Sequence, residues 1–494
     1  MLLGAGCASL PTDVERSESR ALTDTATTPL GRSVAAWTAS HDGRSGFHPL
    51  PDGLDALGAR LALIDRAERS IDAQYFLLKK DEAGAAFAGK LLEAADRGVR
   101  VRFLLDDVFT TARDESLLAL DAHPNVEIRL FNPVARGGIR WVNFLGDFER
   151  ANRRMHNKSF TVDDQVTIVG GRNIASEYFQ LKADSEFVDF DMLAFGPVAA
   201  GVSTSFDRYW NHPLSYPVAE LRRDIHSYDA LREELLAAVD RLGQGIYLKS
   251  IDTPLVRDLL DRKTMFHAAE AEVITDDPDK LLNKISMDQK VLVTRMAEVI
   301  ANAKSEVIVI NPYFIPRDSG IAFWQGVVDR GVKVTVLTNS LASTNHVAVH
   351  SGYARYRRRL LGAGVDLYEA RADATPVNPD TGEKLESLTL HTKLIVIDQR
   401  QVFVGSLNLD PRAIDINTEM GVLIDSPEMV ASMVERFRVR LPAFSYQLKQ
   451  GDRGRLEWHG RIDGVPVVAT SEPLASSWLR FNAWVQKIGP EGQL

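Results

Sequence analysis

Histidine and lysine recur in this chain in one fixed pattern. His156-Asn157-Lys158 is followed by Asp163, and 235 residues further on (391 − 156) His391-Thr392-Lys393 is followed by Asp398. Each His-x-Lys-x4-Asp copy runs on into a glycine-led turn, Gly170-Gly171-Arg172-Asn173 and Gly405-Ser406-Leu407-Asn408. Apolar residues after each lysine (Phe160 and Val162; Leu394 to Ile397) predict strands. On a strand, residues two apart face the same way, so each imidazole would enter a cleft with its ammonium. Two imidazoles and two ammoniums suit a phosphate ester. One imidazole can attack phosphorus while the other protonates the leaving alcohol. Lys158, Lys393 and the amides of Asn173 and Asn408 can stabilise charge on the equatorial oxygens. This chemistry calls for no metal and no other cofactor.

A neutral imidazole is the better nucleophile, and a carboxylate beside it fixes its tautomer. Aligning the halves on Gly196-Pro197 and Ser426-Pro427 sets Asp189 opposite Glu419, both eight residues before their proline (197 − 189 and 427 − 419). These two are the candidates for orienting the imidazoles. Asp163 and Asp398 fall at strand ends and are expected to tie the local backbone or side chains together.

The elements that must position these groups also occur twice. Ser70 to Phe76 reads as a strand, Gly84 to Asp96 as a helix, and Val99 to Asp107 as a buried strand after a glycine turn. Val307 to Phe314 and Val332 to Leu337 repeat the two strands, with an offset of 233 between Arg97-Gly98 and Arg330-Gly331 (330 − 97). Strand–helix alternation and repetition predict an α/β fold built from a duplicated unit, each half supplying half of one active site. The expected organisation is a leader (1–45), a first lobe (46–217), a polar and largely helical connector (218–290), a second lobe (291–445) and a tail (446–494). Asp276-Asp277-Pro278-Asp279 reads as a helix breaker in the connector. The tail ends in the stripe Trp478, Phe481, Trp484, Val485 and Ile488, expected to dock on the protein's own core.

Composition limits the partners. The chain has 494 residues, with 58 Lys plus Arg against 67 Asp plus Glu and a net charge of −9. That balance is a poor footprint for nucleic acid, and none is expected as a partner. No stretch approaches the roughly 18 apolar residues of a spanning helix, so a bilayer partner would be met at its surface or through an anchor. The sole cysteine, Cys7, follows Leu2-Leu3-Gly4-Ala5-Gly6, which resembles the end of a bacterial lipoprotein signal. The basic n-region and most of the apolar run are missing, and the competing expectation is a disordered leader rich in Ser, Thr and Pro.

The paired motifs resemble the phospholipase D superfamily from about residue 45 to 445. That resemblance implies two α/β/α lobes related by a pseudo-twofold, with one composite site at their interface. It also implies a phosphohistidine intermediate, with His156 as nucleophile and His391 as acid/base. The flanks Phe148 to Phe160, Gly170 to Ile174, Leu337 to Ala342, Gly352 to Arg355 and Asn417 to Gly421 are similar to bacterial cardiolipin synthases of the C type. They imply transfer of a phosphatidyl group between phospholipids at a bacterial cell membrane, on its periplasmic side if Cys7 is lipidated. Hydrolysis to phosphatidic acid shares the first half-reaction and stays open as the alternative. A metal-independent nuclease on the same fold is disfavoured by the charge. Gly171 departs from the superfamily pattern, which often has the serine found at Ser406.

Arg136, Arg140, Arg150, Arg153 and Arg154 interleave with Trp141, Val142, Phe144, Leu145 and Phe148 just before the first motif. Two readings stand for this segment: a lip that admits acyl chains while holding phosphates, or a packed helix with a solvated basic face. Arg355, Arg357, Arg358 and Arg359 read as a solvated helix face.

Overall fold

Runs of β-branched and aromatic residues bounded by glycine and polar turns build two sheets with the same strand order. The computed structural model describes residues 9–111, 114–136, 140–181, 186–221, 229–230, 232–233, 237, 250, 252–261, 263–282, 290–374 and 387–487. The first lobe holds β1 (Ser45–Leu50), β2 (Ser70–Tyr75), β3 (Arg100–Asp106), β4 (Val126–Phe131), β5 (Ser159–Val162) and β6 (Val166–Gly170). It continues with β7 (Glu186–Val188), β8 (Asp191–Phe195) and β9 (Ser215–Pro217). Its sheet runs β9-β4-β3-β2-β5-β6-β8-β1, parallel across β2, β3 and β4 and antiparallel elsewhere.

Next comes β10 (His267–Thr275), within the stretch expected to be helical. Its Ala- and Glu-rich sequence favours a helix, but pairing with both lobes overrides that propensity. Residues 267–269 pair with β1, and residues 270–275 pair with β17 (Met420–Asp425). The second lobe is completed by β11 (Glu306–Ile310), β12 (Lys333–Asn339), β13 (Asp366–Ala370), β14 (Leu388–Leu390), β15 (Leu394–Ile397) and β16 (Gln401–Gly405). Beyond residue 445 the chain stays with this lobe: β18 (Ser445–Gln450) pairs with β13, then with β19 (Leu456–Ile462), which pairs with β20 (Val465–Ala469). The order β18-β13-β12-β11-β15-β16-β17-β10 repeats that of the first lobe strand for strand.

Alternation along these strands feeds the three largest apolar cores among the described residues. Ile71, Phe103 and Phe160 pack outward against the helices Gly53–Arg66 and Glu82–Asp96. Val307, Val334 and Ile395 do the same against Val291–Ala301 and Arg317–Asp329. The inward residues of both sheets, Val169 and Met192 with Ile308, Leu394 and Val404, share a third core. The helices Pro197–Trp210 and Pro427–Phe444 contribute to that core as well. Strands buried on both faces suit the near-continuous apolar runs seen in the sequence.

Two expectations about surface residues are corrected. The helix Ser477–Gln486 docks through Leu479 and Ala483 on Leu341 and Val347, and that narrower face leaves the aromatic stripe outside. Trp478, Phe481 and Trp484 are 72%, 52% and 62% exposed, while Ile488 lies outside the described residues. Arg357 is no solvated residue: it is buried, its Nε donating to Glu369 Oε1 at 2.6 Å and its Nη1 pairing with Glu472.

Candidate active site

Both motif histidines and lysines lie in extended segments just ahead of β5 and β15, outside their own sheets. What holds them there is the opposite lobe. His156 N donates to Thr418 O (2.9 Å), and His391 N donates to Val188 O (2.8 Å). The short parallel pair β7–β14 continues the second of these ties. Each backbone tie lands on the residue just before a carboxylate, and each carboxylate takes the ring of the same histidine. His156 Nδ1 donates to Glu419 Oε2 at 2.8 Å, and His391 Nδ1 donates to Asp189 Oδ2 at 2.6 Å. Orientation is therefore crossed, each lobe steering the imidazole of the other. With Nδ1 engaged, Nε2 is the atom left to meet a substrate.

Lys158 Nζ donates to the carbonyl of His156 at 2.6 Å. Lys393 Nζ donates to the His391 carbonyl and lies 2.9 and 3.1 Å from the two ring nitrogens. All four side chains are buried. Burial, followed by the charges of Lys158 and Lys393, holds the His156 imidazole well below its ordinary range. Burial, Lys393 and Lys158 do the same to His391. Burial also brings Lys158 down to about 7 and Lys393 to about 8, and pushes Glu419 up to about 7 and Asp189 upward. The two imidazoles are thus neutral near pH 7, the form that can attack phosphorus. An anionic phosphate between the lysines would offset their charge and favour imidazolium, the form that can protonate a leaving oxygen.

Aromatic rings wall the histidines. Phe76 meets His156 edge-on at 4.8 Å, and Phe187 stacks on His391 at 5.4 Å with Tyr178 at 5.1 Å. Asn173 and Asn408 are buried at the glycine-led turns, and Asn173 donates its amide to Tyr178 Oη at 3.0 Å. Asp163 and Asp398 are not gathered with these groups. Each takes a left-handed turn (φ 52° and 53°) and gathers the backbone N–H groups ahead of the first parallel strand of its own lobe. Asp163 accepts from Glu68, Arg69 and Ser70, and Asp398 from Lys304, Ser305 and Glu306.

Several supporting residues escaped the sequence reading. Asp106, at the end of β3, accepts from Met155 N (3.0 Å) and pairs with Arg154 (3.1 Å), anchoring the approach to His156. Asp276, read only as part of a breaker, accepts from Glu419 N at 3.2 Å and donates its own N–H to Glu419 O at 2.9 Å. It also takes Lys280 Nζ at 2.7 Å, a buried pair that fixes the backbone of the carboxylate. Ser406 Oγ donates to Glu419 Oε2 at 2.5 Å. Only Ser406 carried a sequence signal, its mismatch with Gly171. Of the basic residues before the first motif, Arg136 is taken by Asp107 and Asp114, Arg150 by Asp147 and Arg154 by Asp106. The side chain of Arg140 lies outside the described residues.

Comparison with known proteins places this geometry in a family. Residues 61–210 and 296–440 match the family model described as "Cardiolipin synthase, PLD-like domain". The chain is 37% identical over 466 residues to cardiolipin synthase C of Escherichia coli (strain K12), covering 93% of this chain and 98% of that protein. It is 33% identical over 501 residues to an uncharacterised protein of Helicobacter pylori, covering 99% and 97%. In fold it is similar to the solved phosphatidylserine synthase of Haemophilus influenzae, with a TM-score of 0.57 at 14% identity over 84% of this chain and 92% of that one. The family model falls once on each lobe, and each match carries one His-Lys pair. The chain belongs to the phospholipase D-like cardiolipin synthase family.

Proposed function

We propose that this protein is a phosphatidyltransferase that joins the phosphatidyl group of one phospholipid to the headgroup alcohol of another, producing cardiolipin. His156 Nε2 attacks phosphorus, the bond from phosphorus to the headgroup oxygen breaks, and His391 delivers its proton to that oxygen. The acceptor's hydroxyl then returns a proton to His391 as its oxygen attacks phosphorus and the N–P bond breaks. Lys158 and Lys393 hold the phosphate oxygens through both steps, and Glu419 and Asp189 steady the rings. The observation that carries the reading is the crossed clasp. Two neutral imidazoles, each braced by the other lobe's carboxylate, meet in one buried site with two lysines. Resemblance to cardiolipin synthase C over nearly the full length supports the lipid acceptor.

The test is product analysis with vesicles of phosphatidylglycerol and phosphatidylethanolamine. Cardiolipin with release of glycerol or ethanolamine is expected. Phosphatidic acid as the only lipid product would replace this reading with phospholipid hydrolysis.

A further inference from the structure

We propose that the protein docks on the bilayer through two aromatic ridges flanking its active-site mouth, the helix Ser477–Gln486 and the segment Trp141–Phe148. The inference rests on the phospholipid reading above and adds the surface by which the lipid is reached.

The first ridge is built to face outward. Ser476 caps the helix by accepting from Leu479 N at 3.1 Å, and Leu479 and Ala483 fix it to the helix Val347–Ala354 and to Leu341. The aromatic rings on its free face touch one another, Trp478 to Phe481 at 5.8 Å and Phe481 to Trp484 at 6.1 Å. A continuous exposed aromatic surface of this kind is uncommon on a protein that meets only water, and tryptophan favours the headgroup level of a bilayer. At the end of the helix stand Arg355, Arg358 and Lys487. Arg355 donates to the Lys487 carbonyl. Burial, then the charge of buried Arg357, and behind it Arg355 and Arg358, lower the Lys487 ammonium's affinity for its proton against the opposing charge of Glu472. In a chain of net charge −9, this local cluster beside exposed aromatics is complementary to anionic headgroups.

Position ties both ridges to the chemistry. His346 opens the helix Val347–Ala354, its ring lies 5.4 Å from Tyr313, and Tyr313 lies 6.4 Å from His391. In the other lobe Phe109 packs on Phe76 at 5.0 Å, and Phe76 covers His156 at 4.8 Å. Phe109 is 49% exposed, and in the segment that leads into the first motif Trp141, Leu145 and Phe148 are 65%, 58% and 41% exposed. The segment Trp141–Phe148 follows the carboxyl end of β4, and the helix Ser477–Gln486 packs on Leu341 and Val347, which follow the carboxyl end of β12. The imidazoles lie at that same edge, where open α/β sheets bind their ligands. A protein seated on both ridges would close the cleft to substrate, whereas a bilayer supplies it.

The experiment measures binding and chemistry separately, using the full chain. A Trp478→Ser, Phe481→Ser, Trp484→Ser variant is sedimented with phosphatidylglycerol vesicles and assayed on a monomeric short-chain phosphatidylglycerol. Vesicle affinity should fall at least tenfold, while turnover of the monomeric substrate stays within twofold of the parent. Undiminished vesicle binding overturns the proposal. So does a turnover loss that matches the binding loss, because the stripe would then belong to the site. A shift from dimer to monomer in sedimentation velocity, with vesicle binding kept, assigns the ridge to a second copy and also overturns it. Arg355→Gln with Arg358→Gln should weaken binding to phosphatidylglycerol vesicles and spare binding to phosphatidylcholine vesicles; equal loss on both removes the charge argument. If the parent turns over no phospholipid at all yet its vesicle binding depends on the stripe, the transferase reading fails while the docking surface stands.

Discussion

The two half-sites are copies that brace their histidines differently. Around His156 the carboxylate is a glutamate, and Glu419 Oε2 is shared between the imidazole and the Ser406 hydroxyl. Around His391 it is an aspartate, and glycine stands in place of the serine. A Cβ added to Gly171 would lie 2.2 Å from Asp189 Oδ1, so the carboxylate occupies the space that a side chain would need. Asp189 is held instead by its neighbour's backbone, Phe190 N donating to Oδ1 at 2.8 Å. Short carboxylate with glycine and long carboxylate with serine are thus two solutions to one packing problem. The difference teaches that the halves have diverged in pairs of residues, and it gives each histidine a distinct electrostatic setting.

Removing either histidine should have the largest effect, a fall in turnover of ~10⁴-fold or more, as for other catalytic residues that act as a unit. A nitrophenyl ester of phosphatidate, whose leaving group needs no proton, should rescue the first step of His391→Ala as a burst of one nitrophenol per site, the second step still lacking its base, and should give no burst with His156→Ala. Rescue of His156→Ala instead would exchange the two roles. Gly171→Ser comes next. Displacing Asp189 by an ångström should cost ~10²-fold in turnover, and adding Asp189→Glu should recover at least part of it if the two solutions are interchangeable. No recovery in the double variant would show that they are not.

Ser406→Ala removes one hydrogen bond from a charged partner, about 1.5–3 kcal/mol in this kind of setting. kcat/KM should fall by the corresponding ~10- to 100-fold, and an unchanged value would leave the Ser–Glu bond without a part in catalysis. The pH profile of kcat/KM should be a narrow bell. Below about 7 Glu419 gains a proton, and its charge at the His156 ring is lost. Above about 7 to 8 Lys158 and then Lys393 lose theirs, and with them the grip on phosphate. The limbs belong to the coupled cluster rather than to single residues, and a flat profile from pH 6 to 9 would contradict the arrangement.

The smallest effect on chemistry belongs to the repeated aspartates. Asp163→Ala and Asp398→Ala should destabilise the fold by ~1–3 kcal/mol through unpaired backbone N–H groups, with turnover of the folded protein unchanged. Asp398 is held below the ordinary carboxylate range by hydrogen bonds from Glu306, Ser305 and Lys304, which outweigh an opposing burial effect. The stability it contributes is therefore present above its unfolded pKa and lost as pH falls through the lower folded value. Acid unfolding of Asp398→Ala monitored by circular dichroism should show less of that loss than the parent.

The duplication, the α/β scaffold and the pairing of Asp189 with Glu419 as equivalents were legible because they follow from spacing along one chain. Crossing was not, since nothing in the local pattern says that Glu419 serves His156 and Asp189 serves His391. The strand β10 was hidden by helix-favouring alanine and glutamate, and its partners lie far away in sequence. Asp106 and Asp276 act on backbone N–H groups, which leave no residue-type signature. The aromatic helix had a readable stripe, but its inward face was chosen by the small surface of Leu341 and Val347.

The shared strand edge has a consequence for how such a chain could arise. β1 meets β8 with Gly46 opposite Phe195, and β10 meets β17 with Glu270 opposite Asp425. Matching Phe195 to Asp425 makes Ser45 the counterpart of Ala269, since both offsets from Gly46 and Glu270 are one residue. Ser45 and Ala269 are also the pair that face each other between β1 and β10. Each strand therefore adds to its own equivalent, the isologous contact of a twofold dimer. Two separate half-length polypeptides could join across this edge and assemble the same crossed site. Covalent linkage between the halves then sets stoichiometry, and leaves each copy free to diverge from the other.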